Sequence, residues 1–505
     1  MSPSRQGGSC FRFPLDGGRA GMGGLAEPGR AGASGKGAAA LLLALCMALP
    51  AHAQTPATPG SAEALPDVAA RLRDRALSGS GAYDILESLT TEVGPRAAGS
   101  PAMARARDWA IARMTALGFK NVHAEAYTIP GWSKGVETAE VTAPFPQPLV
   151  ITGLGRSVAT PPGGLEAEVV LFPTFEALQA APAGSLAGKI AVLTERMGAN
   201  DSPTGYGVAN RWRRKGPSEA ARRGAVGFLI RSLATNDNRA PHSGALNYDD
   251  DVAKIPAAAL SGADADQLER MARRGKPIRV RFTLRPTILP AVTTWNVVGE
   301  IPGRVTPDEV VLVSGHLDSW ELGTGAIDDG AGVAITLAAA RLAGERHPRR
   351  TIRMVMWGAE ETDYAGEAYA KAHATDASRI VIAGESDSGA THVASFGVPA
   401  GGGGLPAVKT LATALQPLGV TFNPQPVRQG GDDVGHLVPL GVPQLGMRQE
   451  NSRYFDIHHS AEDTLDKVDP AELDKATAAW TAAIWVLAES GVDFRKAAPP
   501  AGAAK

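Results

Sequence analysis

Residues 314–335 read SGHLDSWELGTGAIDDGAGVAI. An apolar, β-branched run, DEVVLV at 308–313, leads into this stretch, and GVAITLAAARLA at 332–343 leaves it. The first has the composition of a buried strand and the second that of a buried helix. Between them stand His316, Asp318, Asp328 and Asp329, set among glycines. Two adjacent aspartates usually mark a turn. A histidine and three acids at the tip of a core strand ask for a further reason.

The same unit recurs outward from this point. Strands are expected at 309–315, 351–357 and 379–384, and helices at 331–344, 364–374, 405–417 and 471–490. Such alternation predicts an α/β fold with a mixed, mostly parallel central sheet and helices on both faces. Sites in these sheets lie beyond the carboxyl ends of the strands. The strand in RTIRMVMWGAEET (350–362) runs out into Glu360 and Glu361, and the strand in RIVIAGESDSG (379–389) into Glu385 and Asp387. Three consecutive strands therefore carry His or acid clusters at the same edge.

Clustered carboxylates repel one another and resist ionisation. A divalent cation reverses the sign of that problem. The cluster itself thus predicts metal. Imidazole with carboxylate and no thiolate suits zinc, and less specifically manganese or cobalt. A second histidine is needed. His52 falls in the leader, and His123, His242, His347, His373 and His392 lack acids at useful spacing. His458 and His459, in the polar segment YFDIHHSAEDTL (454–465), have them.

The motifs GHLDSW, GAIDDGAG, WGAEE, ESDSG and HHSAEDT, in this order, resemble the co-catalytic dizinc exopeptidases that include aminopeptidase Y and glutamate carboxypeptidase. GPRAAGSPAMARARDWA (94–110) extends the likeness toward the carboxypeptidase Q branch and over nearly the whole mature chain. The resemblance implies two zinc ions per subunit. It implies that His316 and Asp387 bind one, that Glu361 and His459 bind the other, and that Asp328 bridges them. In the family the ligand histidine stands four before the Asp of a DT pair, which selects His459 over His458. Glu360 is implied as general base, activating a shared water for attack on a peptide bond. Asp318 is expected to orient His316, and Asp463 to act similarly near His459. Asp433 and His436, in GGDDVGHL (430–437), stand where the family has a substrate-facing loop. The implied activity is hydrolysis of dipeptides or short peptides, of carboxypeptidase or dipeptidase type, with a homodimer possible by resemblance. Aminopeptidase action, a glutaminyl-cyclase-like acyl transfer and a non-catalytic binding ectodomain are the other outcomes this fold accommodates.

The totals agree with an enzyme on small substrates. Among 505 residues the net charge is −2, from 50 basic and 52 acidic side chains, which gives no support to nucleic-acid or anionic-membrane binding. GKGAAALLLALCMALPAHAQ (35–54) has the basic flank, apolar core and small-x-small end of a secretory signal, so export to a periplasm or the exterior is expected. The only cysteines, Cys10 and Cys46, precede the expected cleavage point. The mature chain therefore has no disulfide and no thiolate metal ligand. The expected organisation is leader and signal at 1–53, a spacer at 54–65, and a peptidase domain in two segments, 66–130 and 288–492. Between these segments a β-rich insertion at 131–287 corresponds, by resemblance, to a protease-associated domain. A disordered tail is expected at 493–505.

Overall fold

The computed structural model describes residues 64–199, 202 and 204–496. The expected signal, both cysteines, nearly all of the spacer and the last nine residues lie outside them. The strands in chain order are β1 (Lys120–Ser133), β2 (Glu137–Ala143), β3 (Gln147–Leu149), β4 (Ile151–Gly153), β5 (Leu165–Phe172), β6 (Ile190–Leu193), β7 (Gly227–Arg231) and β8 (Ala257–Leu260). They continue as β9 (Arg279–Leu284), β10 (Thr287–Ile301), β11 (Thr306–His316), β12 (Arg350–Trp357), β13 (Ile380–Glu385), β14 (Val393–Gly397), β15 (Thr421–Phe422) and β16 (Gly446–Gln449).

The central sheet has the order β1-β10-β12-β11-β13. The pairings β11/β12 and β11/β13 are parallel, whereas β1/β10 and β10/β12 are antiparallel. The sheet is mixed, but it is not mostly parallel as its helical spacing suggested. Only β11, β12 and β13 are linked by helical crossovers, which enforce parallel pairing. β1 and β10 are the outgoing and returning arms of one long excursion, so they run opposite to each other.

Alternation along β11 splits its side chains between two cores. Val311 and Val313 pack with the helices Ala331–Gly344 and Pro470–Glu489. Val310 and Leu312 pack on the other face with Ala365 and Tyr369 of the helix Ala365–Ala372. The register sets His316 opposite Trp357, and Ser314 opposite Glu385. The three strand tips therefore end level with one another. The helix Pro101–Ala116 begins as its sequence dictates, with Pro101 in the first turn and the Ser100 hydroxyl accepting from Met103 N at 3.1 Å.

The excursion between β1 and β10 folds into a second sheet of eight strands, in the order β3-β2-β9-β5-β6-β7-β8-β4. Its middle pairings, β5 through β8, are parallel. The helix Tyr206–Arg222 covers one face through Ala209, Trp212 and Ala220, and the helix Gly262–Ala272 covers the other through Ala265, Leu268 and Met271. The segment expected to be a β-rich insertion thus carries the strands β2 to β9.

One expectation about the C-terminus needs correction. Phe494 is fully buried in the main core, and Arg495 donates to Glu309 at 3.0 Å, so order extends beyond 493. Among the described residues no helix is long and apolar enough to cross a membrane.

Candidate metal centre

The strand tips deliver their polar residues to one place. Asp328 lies between two histidines: its Oδ1 is 3.0 Å from His316 Nε2, and its Oδ2 is 3.2 Å from His459 Nε2. Glu361 approaches His459 Nε2 at 2.9 Å, and Asp387 approaches His316 Nε2 at 3.7 Å. Two ligand groups thus share one carboxylate. Glu360 stands beside them, 3.8 Å from His316 Nε2. The sequence-selected residues His316, Asp328, Glu360, Glu361, Asp387 and His459 therefore all converge.

Two close alternatives are present. Asp329 falls within ligand distance of His316 and Asp387. Its oxygens, however, accept from the backbone N–H groups of His316 and Gly332 at 2.9 and 3.0 Å. Asp329 shapes the loop, with both of its oxygens engaged by backbone N–H groups. His458 also lies near Asp328, but at 3.6 Å and without a second carboxylate. It stacks on His459 with ring centroids 3.5 Å apart.

Each ligand-type histidine has its far nitrogen engaged. His316 Nδ1 is 3.0 Å from the Asp318 carbonyl, and the Asp318 carboxylate lies 3.7 Å away. Asp318 contacts His316 chiefly through its backbone carbonyl; its Oδ1 accepts from Glu360 N at 3.1 Å. His459 Nδ1 faces the Ser243 carbonyl at 3.3 Å, and Ser243 N donates to the His459 carbonyl at 2.8 Å. With each Nδ1 facing a backbone carbonyl, both Nε2 atoms face the carboxylates, the orientation in which a neutral imidazole would offer its lone pair to a metal. His459 holds φ +60°, an unusual backbone for a non-glycine residue, and the Ser243 pairing secures it.

Asp463 does not sit behind His459. Its carboxylate accepts from Ile327 N at 2.6 Å and Asp328 N at 3.2 Å, so it positions the bridging aspartate. Asp433 is likewise not on the cavity wall. It is buried and accepts from Gly366 N at 2.5 Å, at the start of the helix Ala365–Ala372. Its neighbour Asp432 lines the cavity instead, and His436 is outside the lining. The phase of the short helix Asp432–Gly435 decides between the two aspartates.

The electrostatics fit a cation. Asp328 Oδ2 and Glu361 Oε1 are buried and make no hydrogen bond. Burial raises the pKa of Glu360 well above its ordinary value, and the Asp387, Glu361 and Asp433 carboxylates add to this. Burial, with Asp328 nearby, pushes Asp387 up to about 7 against the opposing pull of His316. Burial alone would lower His316, yet the surrounding carboxylates hold it well above the imidazole range. Buried carboxyl oxygens without donors are costly unless something positive occupies the space they face.

Curated relatives identify the architecture. Mouse carboxypeptidase Q is 37% identical over 411 residues, which cover 81% of this chain and 85% of the relative. The human protein of the same name is 34% identical over 430 residues, covering 84% and 89%. The profile of peptidase family M28 matches residues 296–484. The chain belongs to peptidase family M28. Among solved structures, an M28 peptidase precursor from Shewanella amazonensis superposes with a TM-score of 0.83 at 43% identity, over 86% of this chain and 99% of that one. A zinc aminopeptidase from Bacillus subtilis shares the fold at 18% identity, with a TM-score of 0.60 over 83% and 97%. This chain is accordingly an M28 metallopeptidase related to carboxypeptidase Q, and groups suited to metal are present at its strand tips.

A cavity of about 410 Å³ opens over the centre of this M28 peptidase. One wall carries Glu360, Glu361, Asp387 and Asp432. The opposite wall comes from the helix Tyr206–Arg222 of the second sheet and includes Tyr206, Asn210, Arg213 and Arg214. Arg213 is buried and donates to the Ser243 carbonyl, the Tyr206 hydroxyl and Asn210. Arg214 forms a two-point pair with Asp363 at 2.5 and 2.9 Å. Reading the sequence missed this wall. Its only signal was RWRRK (211–215), a basic run with no acid beside it.

Proposed function

We propose that this chain is an exported exopeptidase that holds two zinc ions and releases residues from dipeptides or short peptides as a carboxypeptidase or dipeptidase. The observation that carries this reading is the shared carboxylate: Asp328 offers one oxygen to each of two histidines. His316, Asp328 and Asp387 would hold one ion, and Glu361, His459 and Asp328 the other. When bound, such a pair polarises the scissile carbonyl and acidifies a water molecule.

The chain supplies the remaining chemistry. Glu360 lines the same cavity from the position next to Glu361, in the turn that follows the strand ending at Trp357. A carboxylate in this position is suited to take a proton from water and return it to the leaving amine. The cavity's volume suits a dipeptide-sized substrate rather than a folded protein. Arg213 and Arg214 place positive charge on this wall, which favours a substrate carboxylate, while the Arg214 fork itself is paired with Asp363. The related carboxypeptidases Q point the same way.

Asp432 on the facing wall offers an anchor for a free amine, which favours aminopeptidase action as the second reading. One assay separates them: the purified chain is given free, N-blocked and C-blocked dipeptides, with zinc measured in parallel. Loss of turnover on C-blocking alone supports the carboxypeptidase reading; loss on N-blocking alone refutes it. Fewer than two zinc ions per active chain would refute the dinuclear centre. The segment 131–287 is proposed as a protease-associated domain, with export by the N-terminal signal and a homodimer as accompanying proposals. N-terminal sequencing of the secreted protein and light scattering test the last two. An intact leader, or a monomer at micromolar concentration, would reject them.

A further inference from the structure

The segment GPRAAGS (94–100) has no part in the chemistry above. Its arginine nevertheless sits at the back of the metal centre. Arg96 is fully buried. Its guanidinium donates to the carbonyls of Leu317, Thr324 (2.6 Å), Gly325 (2.8 Å) and, more weakly, Gly94 (3.4 Å). Leu317 directly follows His316, and Gly325 stands three residues before Asp328. One planar group thus joins the two ends of the loop that separates these residues. The backbone adds a parallel tie: Arg96 N donates to the Ser319 hydroxyl at 3.2 Å, and Ser319 N donates to the Arg96 carbonyl at 3.4 Å.

The glycines of the loop make room for this side chain. A Cβ on Gly325, which holds φ +61°, would lie 2.9 Å from Arg96 Nη1 and 2.4 Å from the Ser319 Cβ. A Cβ on Gly330 would reach 2.6 Å from the Gly325 carbonyl oxygen, which Arg96 itself engages. Asp463, Asp318, Asp329 and Asp328 surround the guanidinium and favour its charge against the cost of burial. The reverse also holds. A fixed cation behind four buried acids relieves their repulsion at all times.

We propose that Arg96 is a positioning residue for the metal centre, tying the ends of loop 317–325 so that His316 and Asp328 face each other before any metal arrives. It touches neither substrate nor the proposed ions and acts through the loop. A lysine cannot replace it, because an ammonium is a point donor and cannot span carbonyls at both ends of a loop. This inference rests on the dinuclear reading of the site.

The test uses the full mature chain with Arg96→Met and Arg96→Lys. Zinc affinity is measured by competition with a chromophoric chelator, kcat and KM on a dipeptide at saturating zinc, and thermal unfolding on the metal-free chain. The expected result is zinc affinity weakened about 10–100-fold in both variants, as for other groups that orient metal ligands. With zinc saturating, kcat should fall while KM stays near wild type. Wild-type zinc affinity in either folded variant overturns the proposal, whatever the melting temperature. So does failure of both variants to fold with zinc present, which would make Arg96 a core residue only. A wild-type chain with fewer than two zinc ions would instead sink the dinuclear reading, and the two failures are distinguishable.

Discussion

The two sheets treat buried charge in opposite ways. In the eight-stranded sheet, Arg231 has a side chain only 4% exposed, and it is answered by Asp266 at 2.5 Å, by Asp237 and by the Gly262 carbonyl at 3.1 Å. Asp264 is buried there too, and it accepts from Ser261, Arg239 and Val150 N. At the tips of the central sheet, Asp328 and Glu361 keep buried oxygens without donors. Arg231 and Asp264 are thus each answered by partners from within their own region. The second region leaves carboxylate oxygens that a bound cation would answer, as the proposed metal centre requires.

The largest effect should come from the base. Glu360→Gln should retain metal and lose turnover by about 10³-fold, within the range of general-base catalysis. Near-normal kcat in that variant would remove Glu360 from its role. Asp328→Asn strikes the comparison at its centre. It should reduce bound zinc at both positions, seen by elemental analysis, whereas loss of one ion only would deny the bridge. Chelation should destabilise the chain by about 4 kcal/mol where zinc is present at 1,000-fold its Kd, lowering the melting temperature by several degrees. An unchanged melting curve would mean the carboxylates do not need the ion.

Arg231→Met should cost about 1–3 kcal/mol, the scale of hydrogen bonds to a charged group, with zinc content and kcat unaffected. A changed zinc content would show that the two regions are coupled. The smallest effect is at the surface of the peptidase region. Glu472 is paired with Lys475 at 2.6 Å and His392 at 2.5 Å; against the upward push of burial, these partners hold its pKa down to about 2. A depressed acid stabilises the fold above its unfolded value of 4.5 and loses that contribution as pH falls toward 2. Because the pair is solvent-exposed, Glu472→Gln should flatten this acid limb by about 1 kcal/mol or less. Urea titrations between pH 5 and pH 2.5 would reveal it, and parallel curves for both proteins would dismiss it.

His316, Glu361 and Asp387 were legible because each lies at the end of its strand or within four residues of it, so strand order and local sequence place them. The second histidine was separable from its neighbour only by a family spacing; in the structure both lie near Asp328, and His459 also approaches Glu361. Asp463 was expected behind His459 because the two are close in sequence. The partner of His459 is instead Ser243, more than two hundred residues away. Asp433 was preferred to Asp432 for the cavity, and the turn of a four-residue helix reversed them.

From sequence alone came the strand–helix units, the level acid-bearing edge and the demand for a cation, since these follow from short-range periodicity and charge repulsion. Tertiary structure alone decided the antiparallel half of the central sheet, the cationic wall of Arg213 and Arg214, and the hold of Arg96 and Ser243 on the centre. Those depend on how a long excursion folds back onto the strand tips. Chain reversal carries no local signature, and a backbone carbonyl that orients a histidine can belong to any residue type.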